Sequence, residues 1–157
     1  MLAETVKNIA RECGFDLVGI AHAGPVADFD RYQTWVAAGN AGEMRYLTDH
    51  RAEKRDDVRS LLPTARSVIC VGQLYNTPQP TRKTGDARIS RYARGQDYHT
   101  VMKAQLESMA ARLHQYEPFD YKVCVDTAPL LERSLAREAG LGWIGKNTCL
   151  INEPQGS

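Results

Sequence analysis

The residues whose types and spacing suit chemistry lie mostly between positions 82 and 152. Asp126 follows the apolar stretch YKVCV and precedes Thr127-Ala128-Pro129. A carboxylate at the carboxyl end of a strand is where layered α/β proteins often place functional groups. Asp126 or Thr127 would equally satisfy free N–H groups at a helix start, with Pro129 in the first turn. Gly140, Gly142 and Gly145 spell G-x-G-x-x-G, and Gly140 to Lys146 spells G-x-x-x-x-G-K. Both patterns cradle phosphates, because glycines let backbone N–H groups approach an anion at a helix N-terminus. Each requires a strand before the glycines and a helix after them, whereas here a helical pattern precedes and the strand-like NTCLI follows. Asn147 also stands where a magnesium-binding hydroxyl belongs. The stretch therefore reads as a helix stop and tight turn, or as backbone lying against a large ligand, before it reads as a phosphate site.

Three further groups have a chemical and a plain reading. Asp97-Tyr98-His99 opens a helical pattern: Asp97 caps it with His99 exposed, or the cluster faces an anionic ligand. Residues 82–94 carry Arg82, Lys83, Arg88, Arg91 and Arg94 against Asp86 alone, a local charge of +4. They form a solvated loop, or they grip nucleic-acid phosphates with Tyr92 stacked on a base. Glu132-Arg133 is by default a solvated pair, although Arg133 could point back past Pro129 toward Asp126. The cysteines Cys13, Cys70, Cys124 and Cys149 are dispersed among apolar neighbours with no C-x-x-C. Thiols in that setting are expected to be reduced and buried, not cluster ligands.

The elements that must position these groups alternate. Leu2, Val6, Ile9, Ala10 and Cys13 recur at helical spacing and stop at Gly14; residues 15–21 read as a strand. A second helix follows Pro25, with Val26, Phe29, Tyr32, Trp35 and Val36 on one face, and stops at Gly39-Asn40-Ala41-Gly42. Residues 51–60 are too charged for core. Residues 67–75 give the clearest strand, apolar enough at first to be covered on both faces. Residues 76–97 form a long loop. A helix over 98–116 carries Met102, Leu106, Met109 and Leu113; then come a strand over 121–125, a helix over 130–139 ended by Gly140, and a strand over 148–151. This alternation predicts an α+β, layered fold in one domain spanning 1–157.

The chain has 157 residues, 43% apolar and 25% charged, with a net charge of +1, so it is not basic overall. No apolar run approaches the ~18 residues of a membrane span, and no signal peptide opens the chain, so a cytoplasmic protein is expected. The last residues, EPQGS, follow a strand directly, which gives the ending a truncated look.

Four stretches together resemble epoxyqueuosine reductases: SRYARGQDYH (90–99), VDTAPLLERSLAREAGLGWIGKNTCLI (125–151), GEMRYL (42–47) and the basic stretch before LLP (61–63). The resemblance runs over essentially the whole chain. It implies the N-terminal cobalamin-binding domain of an oxidoreductase of queuosine biosynthesis, which reduces epoxyqueuosine to queuosine in the anticodon loop of tRNA. It also implies a nitroreductase-like fold similar to the cobalamin-binding domain of reductive dehalogenases. Asp126 matches the family's proposed proton donor, at the cofactor. Arg55, Ser90 and Leu150 match positions that line cobalamin, and Arg133 and Asn152 match positions near the tRNA. Ala128 replaces a glycine common in the family. The family's two [4Fe-4S] clusters sit in a further cysteine-rich domain, and many members add helical repeats; the cluster ligands are absent from this sequence. The resemblance thus implies a monomeric piece, inactive by itself, with an unnamed electron donor. Opening an epoxide requires an acid, and an aspartate, which ordinarily ionises near pH ~3.9, must be desolvated to serve at neutrality. The alternatives are a cobalamin-binding or trafficking protein without catalysis, and a nucleotide or phosphate module on Gly140–Lys146.

Overall fold

The computed structural model describes residues 3–76 and 89–155. Helix α1 (Ala3–Glu12) leads into strand β1 (Leu17–His22), and helix α2 (Phe29–Ala37) follows. After three short 3-10 turns comes strand β2 (Ser67–Gly72), then helix α3 (Tyr98–His114), helix α4 (Glu132–Glu138) and the short strands β3 (Trp143–Ile144) and β4 (Leu150–Ile151). β1 and β2 pair antiparallel from Leu17↔Gly72 to His22↔Ser67, and β3 pairs with β4 as a hairpin.

The period of two in β1 and β2 sorts their side chains onto two cores. Val18, Ile20, Ile69 and Val71 pack with Val6, Ile9, Ala10, Phe15, Met109 and Leu113 beneath α1 and α3. On the other face Val68 and Cys70 join Ala23, Val26, Val58 and Leu135 beneath α4. Helices on both faces explain why the SVICVG run of β2 is apolar without alternation. Gly19 sits on the α4 face, where a Cβ would run into the carbonyl of Ala139. Only a residue without a side chain lets the C-terminal end of α4 approach this closely.

Several expectations are corrected. Residues 121–125 pair with no strand among the described residues. Tyr121 instead leans on Phe119, its ring centroid 5.9 Å away. β1 begins at Leu17 because Phe15 is committed to the core. β2 ends at Gly72 because its partner strand ends there, although Asp16 still accepts from the Leu74 N–H at 2.7 Å. α2 has no fully buried residue. The charged 51–60 segment folds into 3-10 turns that bury Arg55 and Val58. Cys149 is exposed, and the other three cysteines are half-buried and free. Of the basic loop, Arg82, Lys83 and Arg88 lie outside the described residues. No described helix is long and apolar enough to cross a membrane.

Candidate acid-base site

α4 is anchored to the segment just before α2. Asp28, just before α2, accepts from the Ser134 hydroxyl at 2.8 Å and from Arg137 Nη2 at 3.0 Å. Burial alone would raise the Asp28 pKa, but these two donors outweigh it and hold the carboxyl below its usual range. With the helix so fixed, its first turn faces the loop that carries Asp126.

Asp126 adopts a left-handed backbone, φ 53. Aspartate tolerates this region better than most residues. Its N–H donates to Glu132 Oε1 at 3.0 Å. Its Oδ2 accepts a hydrogen bond from the Tyr98 hydroxyl and lies 3.7 Å from His99 Nε2. Both partners come from the first turn of α3, which Asp97 caps by accepting from the His99 N–H at 3.0 Å. The same Asp97 oxygen meets His99 Nδ1 at 2.8 Å. The side chains of Asp97, Tyr98, His99, Asp126 and Glu132 thus form one cluster, in which the Asp126 side chain keeps 51% of its exposure. The Asp97-Tyr98-His99 group therefore both caps the helix and faces a carboxylate.

The electrostatics follow from this geometry. Burial, then the nearby Asp126 carboxylate, push Glu132 up to about 7, although the Asp126 N–H favours its charged form. The hydrogen bond to Asp126 is the main reason Tyr98 is pushed up to about 12. The Tyr98 ring continues a row: Tyr92 lies edge-on to it at 6.2 Å, and Tyr75 edge-on to Tyr92 at 6.3 Å. Tyr75 and Tyr92 are about half exposed. His99 also lines a cleft of about 530 Å³ between α3 and residues 123–127, with Lys103, Glu107, Val125 and Thr127 on its walls.

The other candidate residues fall in three places. Ser90 is exposed and starts the 3-10 turn Arg91–Ala93 that carries Tyr92, so it lies at the edge of the tyrosine row. Within that turn Arg91 bonds to the Asn76 side chain, and Arg94 donates twice to the Ile89 carbonyl, at 3.1 and 2.7 Å. Arg55 is buried elsewhere: its guanidinium donates to the carbonyls of Arg51 at 3.0 Å and Tyr46 at 3.2 Å, and lies 5.5 Å from the Tyr32 ring centre. Its hydrogen bonds tie together the 45–55 turns and do not reach Asp126. Leu150 is half-buried on β4 opposite Ile144. Arg133 donates to the carbonyl of Thr148 and, at 3.0 Å, to its hydroxyl; Asn152 donates to the Leu141 carbonyl at 2.7 Å. Arg133 thus points to the β3–β4 turn and not toward Asp126.

Glu132 was hidden in the sequence as half of a charged pair; the only signal was its place one turn beyond Pro129, next to Asp126. The glycine run is settled as a hairpin. Gly140 stops α4 with φ 77, and a Cβ on Gly142 or Gly145 would collide with Ile151. The Gly145 N–H donates to the Cys149 carbonyl at 2.9 Å, closing the turn. Helix comes before the glycines and strand after, the reverse of a phosphate loop. The free cysteines stand on separate elements, and the described residues contain no group of side chains suited to hold a metal ion.

The chain is, then, a mixed helix-and-strand domain that holds an exposed carboxylic acid among groups suited to proton transfer. Residues 55–127 match the family described as epoxyqueuosine reductase QueG, DUF1730. An epoxyqueuosine reductase of Gloeobacter violaceus is 48% identical over 160 residues, covering 99% of this chain and 49% of that protein. Among solved structures, the epoxyqueuosine reductase of Streptococcus thermophilus superposes with a TM-score of 0.86 at 28% identity, covering 99% of this chain and 43% of that one. An epoxyqueuosine reductase with a tRNA-Tyr epoxyqueuosine-modified tRNA stem loop gives a TM-score of 0.79 at 27% identity, covering 98% and 42%. The chain is similar to epoxyqueuosine reductases over essentially its entire length, and it spans about half the length of the curated relatives it matches.

Proposed function

We propose that this chain forms the cobalamin-binding, acid-supplying part of an epoxyqueuosine reductase, acting on epoxyqueuosine in a tRNA anticodon loop. The observation that carries the reading is the placement of Asp126: an exposed carboxyl in a left-handed turn, held through its N–H by Glu132 and through Oδ2 by Tyr98. The proposal includes a fold kinship with flavin nitroreductases and with the cobalamin domain of reductive dehalogenases.

The residues around Asp126 suit a corrin. Half-exposed Tyr75, Tyr92 and Ile89 offer a broad apolar surface beside the carboxyl, as a large flat macrocycle needs. Ser90 lies at the edge of that surface, and Leu150 would meet the cofactor from the hairpin. Arg55 would act at a distance by fixing the turns around it. Bound cobalamin would supply reducing equivalents at cobalt. The chain's own task is then acid catalysis. Asp126 donates a proton to the epoxide oxygen as its C–O bond breaks, solvent supplies the second proton with which that oxygen leaves as water, and Tyr98 steadies the carboxylate that results. Coverage of the carboxyl by cofactor and substrate would favour its neutral form before the reaction, because desolvation penalises charge. Arg133 and Asn152 brace the hairpin and its flank, which would let that edge meet the tRNA as a firm surface. Arg91 and Arg94 would add phosphate contacts. Iron–sulfur clusters are assigned no residue here, since the cysteines of this chain do not assemble a site.

The test is a visible-absorption titration of the protein with cob(II)alamin, followed by an assay of epoxyqueuosine reduction in which a low-potential one-electron donor replaces the iron–sulfur clusters that the resemblance places outside this chain. A saturable shift toward the base-off spectrum and turnover by the wild type are expected. Binding with no turnover, and no change caused by Asp126→Asn, would favour the trafficking alternative. No binding at all would remove the cofactor from the proposal.

A further inference from the structure

We infer that His99, oriented by Asp97, is the residue that returns a proton to Asp126 after each turnover. The inference rests on the reductase reading above. One oxygen of Asp97 fixes both the His99 backbone, at 3.0 Å, and its ring Nδ1, at 2.8 Å. A carboxylate on Nδ1 selects the tautomer protonated there and leaves Nε2 as the exchanging nitrogen. Nε2 lies 3.7 Å from Asp126 Oδ2. His99 also lines the cleft of about 530 Å³, which is roomy enough for many waters. Water in that cleft can therefore deliver protons to the ring.

The remaining neighbours of Asp126 are less suited. Tyr98 already donates its proton to Oδ2, and with a pKa pushed up to about 12 it would become a costly tyrosinate. Glu132 accepts from the Asp126 N–H and its carboxyl also bonds the Asp126 side chain, but it does not line the cleft from which water would resupply a proton, whereas His99 does. The charged and titratable groups around His99 are Asp97 and Tyr98 beside it, Lys103 and Glu107 along α3, Asp126 across from it and Glu132 from α4.

In the step, the Nε2–H bond of the imidazolium breaks and its electron pair stays on nitrogen. The proton forms a bond to Oδ2 of the Asp126 carboxylate. The neutral ring keeps its Nδ1 proton on Asp97, and water in the cleft restores the proton on Nε2. The net change is one solvent proton delivered to Asp126.

Two measurements test this. In ¹⁵N spectra of histidine-labelled protein, neutral His99 is expected as the Nδ1–H tautomer, moving toward Nε2–H in Asp97→Asn. A wild-type ring already in the Nε2–H form overturns the proposal. Kinetically, the protein is supplied with cob(II)alamin, a low-potential one-electron donor and an epoxyqueuosine tRNA stem loop. His99→Gln is expected to slow multiple turnover ~10-fold or more and the single-turnover rate much less, with recovery in free imidazole. Asp97→Asn, which keeps the ring, should slow multiple turnover less. Unchanged steady-state turnover in His99→Gln, or an equal fall in both rates without imidazole recovery, overturns the relay. A wild type that reduces no epoxide under these conditions overturns the reductase reading and the relay as a catalytic device, while the tautomer spectrum still decides the geometry.

Discussion

Asp126 and Thr148 are both held in the left-handed region, at φ 53 and 65, and adjacent residues of α4 hold them. Glu132 grips Asp126 through its backbone N–H; Arg133 grips Thr148 through its carbonyl and hydroxyl. The difference lies in the grips. A guanidinium keeps its charge at any ordinary pH, so the hairpin turn has a permanent fastening. A carboxyl pushed up to about 7 changes charge near neutrality, so the fastening on Asp126 responds to pH. The residue types differ as well: aspartate tolerates a left-handed backbone, whereas a β-branched threonine is strained there. The reacting loop thus has low strain and an adjustable clamp, and the structural turn has high strain and a fixed one.

Breaking the chemistry on one side should give the largest effect. Asp126→Asn is expected to lower epoxide reduction by ~10²–10⁴-fold while the cobalamin absorption shift persists. The equivalent loss at Thr148 should leave turnover within about twofold, measured in the same assay. If both variants lose activity alike, the division between reacting and structural turn fails.

The clamps themselves are next. Glu132 sits above its ordinary 4.5, near 7, in the folded protein. Between those values the folded state holds more protons than the unfolded one, so its contribution to stability falls as pH rises through that window. Glu132→Gln should flatten this part of a denaturation-versus-pH profile, and a profile identical to the wild type's would show the carboxyl to be unperturbed. Arg133→Ala should cost about 1 kcal/mol by urea denaturation, from the hydrogen bonds lost at Thr148. Smallest of all, Thr148→Gly should raise stability by up to ~1 kcal/mol, strain relief exceeding the loss of the hydroxyl. A destabilising Thr148→Gly would mean that the Arg133 contact outweighs the strain.

Much of this arrangement can be read from residue order, and the gaps have physical causes. The apolar VICV run announced a strand with both faces covered, and α1 and α4 supply the covers. Asp126 stood out by its place before Pro129 and a helix. The clamp residue Glu132 did not, since a Glu-Arg pair at a helix start defaults to solvent and only tertiary packing shows which member turns inward. Arg55 and Val58 were concealed by the charges around them, because 3-10 turns bury single residues without leaving a period to detect. The extended 121–125 stretch has strand composition but no ladder among the described residues, and composition alone does not supply a partner.

The missing side chain at Gly19 has a consequence for how variants of this protein would be interpreted. α4 spans seven residues, about 10 Å of rise, from its contact with Gly19 at one end to Glu132 at the other. Any bulkier residue at position 19 displaces the far end of that rod, and both clamps shift with it. In a screen of random variants, Gly19 would therefore score alongside the reacting residues, as an activity defect arising from a position that substrate never meets.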